Sequence, residues 1–181
     1  MATYRIFPPQ GFATSRWKNG GGVTHEILRD TVNDPWQWRI SIAEVASDGP
    51  FSRFEGLSRI LTVIEGNGLD LHTPDDMLAA RRLQPLAFSG DTPVESRMVD
   101  GPVRDLNLIY DSRHVSASVE VVAGPQDVSA GPGKTGVLCL GGTVAAGGEP
   151  VPAGAFALGE GGCIRLSAGA QAAIVRLQDR Q

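Results

Sequence analysis

The sequence predicts an all-β fold, and three observations point to this class. The 181 residues include 23 glycines and 12 prolines, and each interior Gly or Pro costs a helix about 1 or 3 kcal/mol. Several segments alternate apolar and polar residues, as half-buried strands do. Residues 60–68 and 86–91 also resemble residues 137–142 and 155–160. Two related β-lobes would produce this echo, as would chance in a glycine-rich chain.

The clearest strand covers residues 36–43, which alternate strictly. Trp38 and Ile40 fall on one face, whereas Arg39, Ser41 and Ala43 fall on the other. Two strands around a turn are predicted for residues 60–71, since the glycines between them permit positive φ. Residues 74–83 fit either a short helix or a turn followed by a strand. The other predicted strands are residues 83–89, 103–110, 136–144, 153–158, 163–166 and 172–177.

The chain is expected to form one unit over residues 1–181 that contains two lobes. The N-terminal lobe would cover about residues 1–121 and the C-terminal lobe about residues 137–181. Residues 122–136 are rich in turn formers and would connect them. Ten of the eleven aromatic residues lie before residue 111. Most of the core and most of the function are therefore expected in the N-terminal lobe.

Charge and hydropathy argue against two classes of partner. The net charge is −4, and no cluster of Lys and Arg offers a surface for a nucleic-acid backbone. A membrane span needs about 20 apolar residues, and no run approaches that length. The N-terminus lacks an apolar signal core and the two cysteines form no CxxC motif. We expect a cytoplasmic protein that contacts neither nucleic acid nor membrane.

The histidines do not predict a metal centre. His25, His72 and His114 are far apart in the chain, and compact metal motifs need closely spaced ligands. Three ligands brought together from distant positions would be the exception. We therefore expect no metal site and no cofactor.

The most unusual segment surrounds three successive glycines, Gly20, Gly21 and Gly22. Bare backbone of this kind can present N–H groups to an anion, and the alternative is a flexible loop before a strand. Lys18, one of two lysines in the chain, adds positive charge beside it. Trp17 could supply an apolar wall.

Two later segments place polar residues together on strand faces. Asp105 and Asn107 share one face of the strand at residues 103–110, where they could fix polar atoms of a ligand or form a satisfied buried pair. Arg59 could bind an anion, although an exposed ion pair is the common fate of an arginine.

Five segments together resemble the HutD/Ves family of cupin-like proteins. They are residues 17–27, 36–41, 48–56, 88–91 and 101–107. The resemblance implies a bicupin, in which two β-barrel or jelly-roll lobes form one compact unit. It also implies a role in bacterial histidine utilisation, as a regulatory protein that senses a pathway intermediate. Urocanate and N-formylglutamate, both small carboxylates, are the candidate ligands.

The resemblance and the residue chemistry together give a candidate ligand-binding set. A carboxylate needs cations or several N–H donors, and aromatic side chains would form the walls. The set is Trp17, Lys18, Asn19, Gly20, Gly21, Gly22, Thr24, Glu26, Arg39, Ser41, Phe54, Arg59, Phe88, Asp105 and Asn107.

Two other functions stay open at this stage. In the first, the same pocket belongs to an isomerase or hydrolase, with Glu26 or Asp105 as the general base. In the second, the chain is a protein-interaction module that uses its glycine-rich C-terminal third. Cupin-like proteins often pair through strand edges, so a homodimer is compatible with the resemblance.

Overall fold

The computed structural model describes residues 2–180, and these are almost entirely β-strands joined by turns. The first eleven strands are β1 (Tyr4–Phe7), β2 (Ala13–Arg16), β3 (Gly22–Arg29), β4 (Trp38–Val45), β5 (Gly49–Pro50), β6 (Ser58–Glu65), β7 (Gly68–His72), β8 (Met77–Arg81), β9 (Leu86–Ser89), β10 (Glu95–Met98) and β11 (Val103–Tyr110). The others are β12 (Val115–Ala123), β13 (Gln126–Ser129), β14 (Lys134–Gly141), β15 (Val144–Ala146), β16 (Glu149–Val151), β17 (Phe156–Glu160), β18 (Cys163–Leu166) and β19 (Gln171–Asp179). Pro9–Gly11 forms a single 3-10 turn. Within residues 2–180, no helix has the length and apolarity needed to cross a membrane.

The chain folds as two units, and the division differs from the expected lobes. Residues 13–112 form one unit, and residues 2–12 with 113–180 form the other. The N-terminal residues belong to the second unit because β1 pairs with β17. The expected connector at residues 122–136 instead contains the end of β12, all of β13 and the start of β14.

The unit formed by residues 13–112 is a two-layer β structure. One sheet has the order β2-β3-β4-β11-β6-β9 and the other has the order β5-β10-β7-β8. Apolar residues of both sheets form a common core, to which Val45, Val63, Leu71 and Val103 contribute. The expected strand at residues 103–110 is present, and the two strands expected within residues 60–71 form as β6 and β7. β6 belongs to the six-stranded sheet and β7 to the four-stranded sheet, so the turn between them leads from one sheet to the other.

The segment at residues 74–83 is a turn followed by a strand. The Asp76 amide donates to Thr73 Oγ1 at 3.0 Å, and β8 follows directly. Of the two alternatives that the sequence allowed, the helix is therefore wrong. Pairing of β8 with β7 satisfies the backbone groups that a helix would have bonded internally.

The second unit also has two sheets, in the orders β1-β17-β14-β19-β12 and β13-β18-β15-β16. Its core contains Val137, Ile164, Ile174 and other buried residues of both sheets. The prediction of an all-β fold is confirmed. The sheets of both units keep open edges and are not closed into barrels.

Candidate functional site

A polar region lies on the inner face of the six-stranded sheet. β11 runs between β4 and β6, and Ile109 pairs with Arg39 on one side and with Arg59 on the other. The two arginines therefore flank one position of β11. Further along the same faces, Val45 and Val63 belong to the apolar core. The inner faces of β4 and β6 thus change from apolar to polar toward Arg39 and Arg59, respectively.

A cavity of about 50 Å³ occupies this polar end. Residues of four strands and two loops enclose it. Its lining residues are Trp17, Thr24, Arg39, Ser41, Ala43, Phe51, Ser52, Phe54, Arg59, Asn107 and Ile109. Trp17 Nε1 donates to Thr24 Oγ1 at 2.8 Å, and the Trp17 and Phe51 rings meet edge to face with centroids 5.9 Å apart. These contacts fix the aromatic wall.

Arg59 is the buried cation of the cavity and is only 7% exposed. Its Nε donates to Asn107 Oδ1 at 2.8 Å. Its guanidinium carbon lies 4.8 Å from the ring centre of Phe51 and 5.4 Å from that of Phe88. Its terminal nitrogens have no protein acceptor within residues 2–180. Burial lowers the Arg59 pKa to about 10, with Asp105 opposing the shift, so Arg59 stays charged at neutral pH.

Asp105 lies behind Asn107 and is fully buried. The Asn107 amide donates to Asp105 Oδ1 in a short hydrogen bond, whereas Oδ2 has no hydrogen-bond partner among residues 2–180. Burial raises the Asp105 pKa to about 6, although Arg59 and the Asn107 hydrogen bond act in the opposite direction. This carboxyl group therefore changes its charge close to neutral pH.

Arg39 forms the second cationic wall and is partly exposed. Its Nε lies 3.0 Å from Glu26 Oε2, but the angle is not that of a hydrogen bond. Glu26 also lies 3.5 Å from Arg29 Nε. Because Glu26 has two cationic neighbours, the charge of Arg39 is only partly compensated.

The cavity adjoins an outer cleft of about 560 Å³. Six residues line both spaces: Trp17, Thr24, Arg39, Phe51, Ser52 and Phe54. The cleft adds Ser15, Arg16, Lys18, Asn19 and Pro50. Arg16 and Lys18 are exposed, and neither makes an ion pair with the described part of the chain.

The three glycines build a turn and line neither space. The Gly20 amide donates to the Trp17 carbonyl at 3.0 Å, and the Gly21 amide donates to Asn19 Oδ1 at 2.9 Å. A Cβ on Gly22 would lie 2.5 Å from the Glu44 carbonyl oxygen and 3.0 Å from the Trp17 ring. The glycines therefore allow close packing under Trp17, and the amides of Gly20 and Gly21 are already bonded.

The other predicted site residues divide by position. Trp17, Thr24, Arg39, Ser41, Phe54, Arg59 and Asn107 line the cavity, whereas Lys18 and Asn19 line only the cleft. Glu26, Phe88 and Asp105 line neither space, but each contacts a lining residue. The sequence reasoning missed Ala43, Phe51, Ser52 and Ile109. Ala43 and Ile109 could have been found because they share strand faces with Arg39 and Asn107.

No group of three or more His, Cys, Asp or Glu residues within residues 2–180 is arranged to hold a metal ion. His25 instead bonds Thr14 through Nδ1 and Glu44 through Nε2, at 2.9 Å each.

Fold and cavity together define a cupin-like β protein with a small, cation-lined pocket. The HutD family profile matches residues 10–181, and the chain belongs to the HutD family. HutD from Pseudomonas fluorescens SBW25 has a similar structure, with 31% identity, a TM-score of 0.87 and coverage of 99% of this chain and 100% of that one. The bacterial pirin YhhW from Escherichia coli shares the fold alone, at 6% identity and a TM-score of 0.68, over 98% of each chain.

Two curated relatives match part of the chain. An uncharacterized 21.2 kDa protein in the hutC 3' region of Pseudomonas putida is 38% identical over 125 residues, which are 66% of this chain and 65% of the relative. Protein Ves of Escherichia fergusonii is 34% identical over 108 residues, 58% of this chain and 56% of the relative. The matches thus span less than two thirds of the length of these curated relatives.

Proposed function

We propose that the cavity binds the carboxylate of a small metabolite, and that this binding lets the protein sense an intermediate of bacterial histidine catabolism and limit the pathway. The observation that carries the proposal is the buried guanidinium of Arg59. A buried cation whose terminal nitrogens lack acceptors is costly unless an anion or water satisfies them. A carboxylate matches the planar fork of two N–H donors.

The surroundings of Arg59 favour an anion. Arg39 adds a second cation at the wall. Thr24, Ser41 and Ser52 add hydroxyl groups, which can donate to carboxylate oxygens. The aromatic wall limits contact with water, and this strengthens each polar contact to the ligand.

The hut locus of the P. putida relative supports an intermediate of histidine breakdown as the ligand. Urocanate and N-formylglutamate are the two candidates because both carry a carboxylate on a short chain. The proposal needs neither a metal nor a cofactor.

The test is calorimetric titration of the full chain with urocanate and N-formylglutamate, and with their uncharged amides. We expect the acids to bind and the amides to bind at least tenfold more weakly. Arg39→Gln and Arg59→Lys should each lower the affinity for the acids by about tenfold or more. Arg59→Lys keeps the charge but loses the planar fork. Arg97→Gln is the matched control, since Arg97 is an exposed arginine of the same unit outside the cavity and the cleft.

Equal binding of acids and amides would overturn the proposal, as would unchanged affinity in both cavity variants. Arg39 is partly exposed, so Arg39→Gln keeps the test valid if Arg59→Lys fails to fold.

The alternative function is an isomerase or hydrolase in the same pocket. It would require Glu26 or Asp105 to reach the ligand as a base, yet neither lines the cavity. Glu26 is paired with Arg39, and Asp105 accepts a hydrogen bond from Asn107. Product formation from urocanate or N-formylglutamate that is lost in Glu26→Gln would favour this alternative.

A further inference from the structure

The outer cleft differs in charge from an ordinary surface groove. Arg16, Lys18 and Arg39 line it, and none of its lining residues is acidic. The chain as a whole is acidic, with a net charge of −4, so this local excess of positive charge runs against the average. Uncompensated cations along a cleft attract anionic groups of a ligand.

The inner cavity limits how much of a ligand can be buried. A volume of about 50 Å³ accommodates one or two water molecules or one carboxylate group, given that a water occupies about 30 Å³ of liquid. The rest of a metabolite must therefore extend into the cleft. The residues shared by the two spaces, among them Trp17 and Phe54, would border its path.

We propose that the site is bipartite and takes a linear dicarboxylate, with one carboxylate at Arg59 and Arg39 and the other at Arg16 and Lys18. The inference rests on the proposed carboxylate binding and adds the substrate class. It selects the dicarboxylate candidate, N-formylglutamate, over the monocarboxylate urocanate.

The two ends of the site would contribute in different ways. At the inner end, burial and the fixed geometry of Arg59 make the contact strong and insensitive to salt. At the outer end the two cations are exposed, so their attraction is weaker and screened by salt. The inner carboxylate would therefore supply most of the affinity, and the outer one would supply the preference for a dianion.

The test compares glutarate with glutaramate, in which one carboxylate is replaced by a neutral amide of the same shape. Calorimetric titration of the full chain at low salt should show glutarate binding roughly five- to tenfold more tightly. The double variant Arg16→Gln, Lys18→Gln should remove most of that preference. The preference for glutarate should also shrink when NaCl is raised from about 20 mM to about 300 mM, because this increase shortens the Debye length severalfold. Arg97→Gln should leave it unchanged.

Each outcome assigns the failure to one proposal. If glutarate and glutaramate bind equally to the unmodified protein, and Arg39→Gln lowers the affinity for both, the bipartite site is wrong and the carboxylate pocket is supported. If the preference exists but survives the double variant, the second subsite is not at Arg16 and Lys18 and the inference is overturned. If neither glutarate nor glutaramate nor the two pathway acids bind, the carboxylate pocket itself is wrong.

Discussion

Asn107 accepts a hydrogen bond from Nε of Arg59 at 2.8 Å, between the two sheets of the unit that contains the cavity. Its amide nitrogen donates in turn to Asp105. One neutral side chain thus links a buried cation to a buried acid. Because the Nε side of the guanidinium is held by Asn107, its terminal nitrogens remain for the cavity.

Replacing Asn107 should destabilise the protein without unfolding it. Asn107→Ala leaves Nε of Arg59 and the Asp105 carboxyl without their partner, and unsatisfied buried groups of this kind cost about 1–3 kcal/mol or more. We expect the free energy of unfolding, measured in urea, to fall by roughly 2–4 kcal/mol. Asn67→Ala is the control, since Asn67 is exposed and bonds only at the surface, and should change it by less than about 0.5 kcal/mol. Equal effects of the two variants would refute the structural role of Asn107.

Ligand affinity should rise as pH falls from about 8 to about 5.5. Asp105 has a pKa of about 6, so acidification removes its negative charge while the carboxylate of the ligand stays ionised. The site then gains one unit of positive charge, and we expect carboxylate affinity to increase about fivefold. In Asp105→Asn the affinity should be higher at pH 8 and nearly independent of pH over this range. A pH profile that is the same in both proteins would rule out Asp105 as its origin.

The same carboxyl group should make stability depend on pH. Its folded pKa of about 6 is above the unfolded value of about 3.9, so the folded state holds the proton more tightly. The contribution of Asp105 therefore favours folding at low pH and is lost as pH rises through about 4 to 6, by on the order of 2–3 kcal/mol. Subtracting the urea-unfolding profile of Asp105→Asn isolates this change. If the contribution of Asp105 to the free energy of unfolding instead increased as pH rose, the effect of burial would be contradicted.

Gly22→Ala should destabilise the unit formed by residues 13–112. The added Cβ would press on the Glu44 carbonyl oxygen and on the Trp17 ring, and overpacking of this kind costs about 1–3 kcal/mol. Since Trp17 is part of the cavity wall, ligand binding should weaken as well. Gly11→Ala is the matched control, because nothing lies within 4 Å of its added Cβ. The midpoint of urea unfolding checks both variants, and equal midpoints would disprove the packing role of Gly22.

The sequence predicted the strands well because apolar alternation reports directly on a half-buried sheet. The face shared by Arg39 and Ser41 was predictable in this way, as was the face shared by Asp105 and Asn107. The closeness of Arg39 to Arg59 was not, because it depends on β11 inserting between β4 and β6 and on the register of both pairings. Alternation along one strand carries no information about its neighbours.

The loop residues of the site were harder to predict than the strand residues. Phe51 lies just after β5, and its position against Trp17 and Arg59 depends on tertiary packing. The glycines at positions 20–22 suggested an anion cradle because bare amides are their most visible chemical property. The structure uses their small size, and hydrogen bonds of the turn occupy the amides of Gly20 and Gly21.

The pocket is assembled from two kinds of backbone. Arg39, Arg59 and Asn107 project from paired strands near the middle of a sheet, where hydrogen bonds on both sides hold the main chain. Arg16 and Lys18 lie where β2 ends and the following turn begins. If the proposed site is correct, substitutions of Arg16 and Lys18 should alter ligand preference and leave the positions of Arg39 and Arg59 unchanged, so selectivity and structural integrity would be separable by mutation.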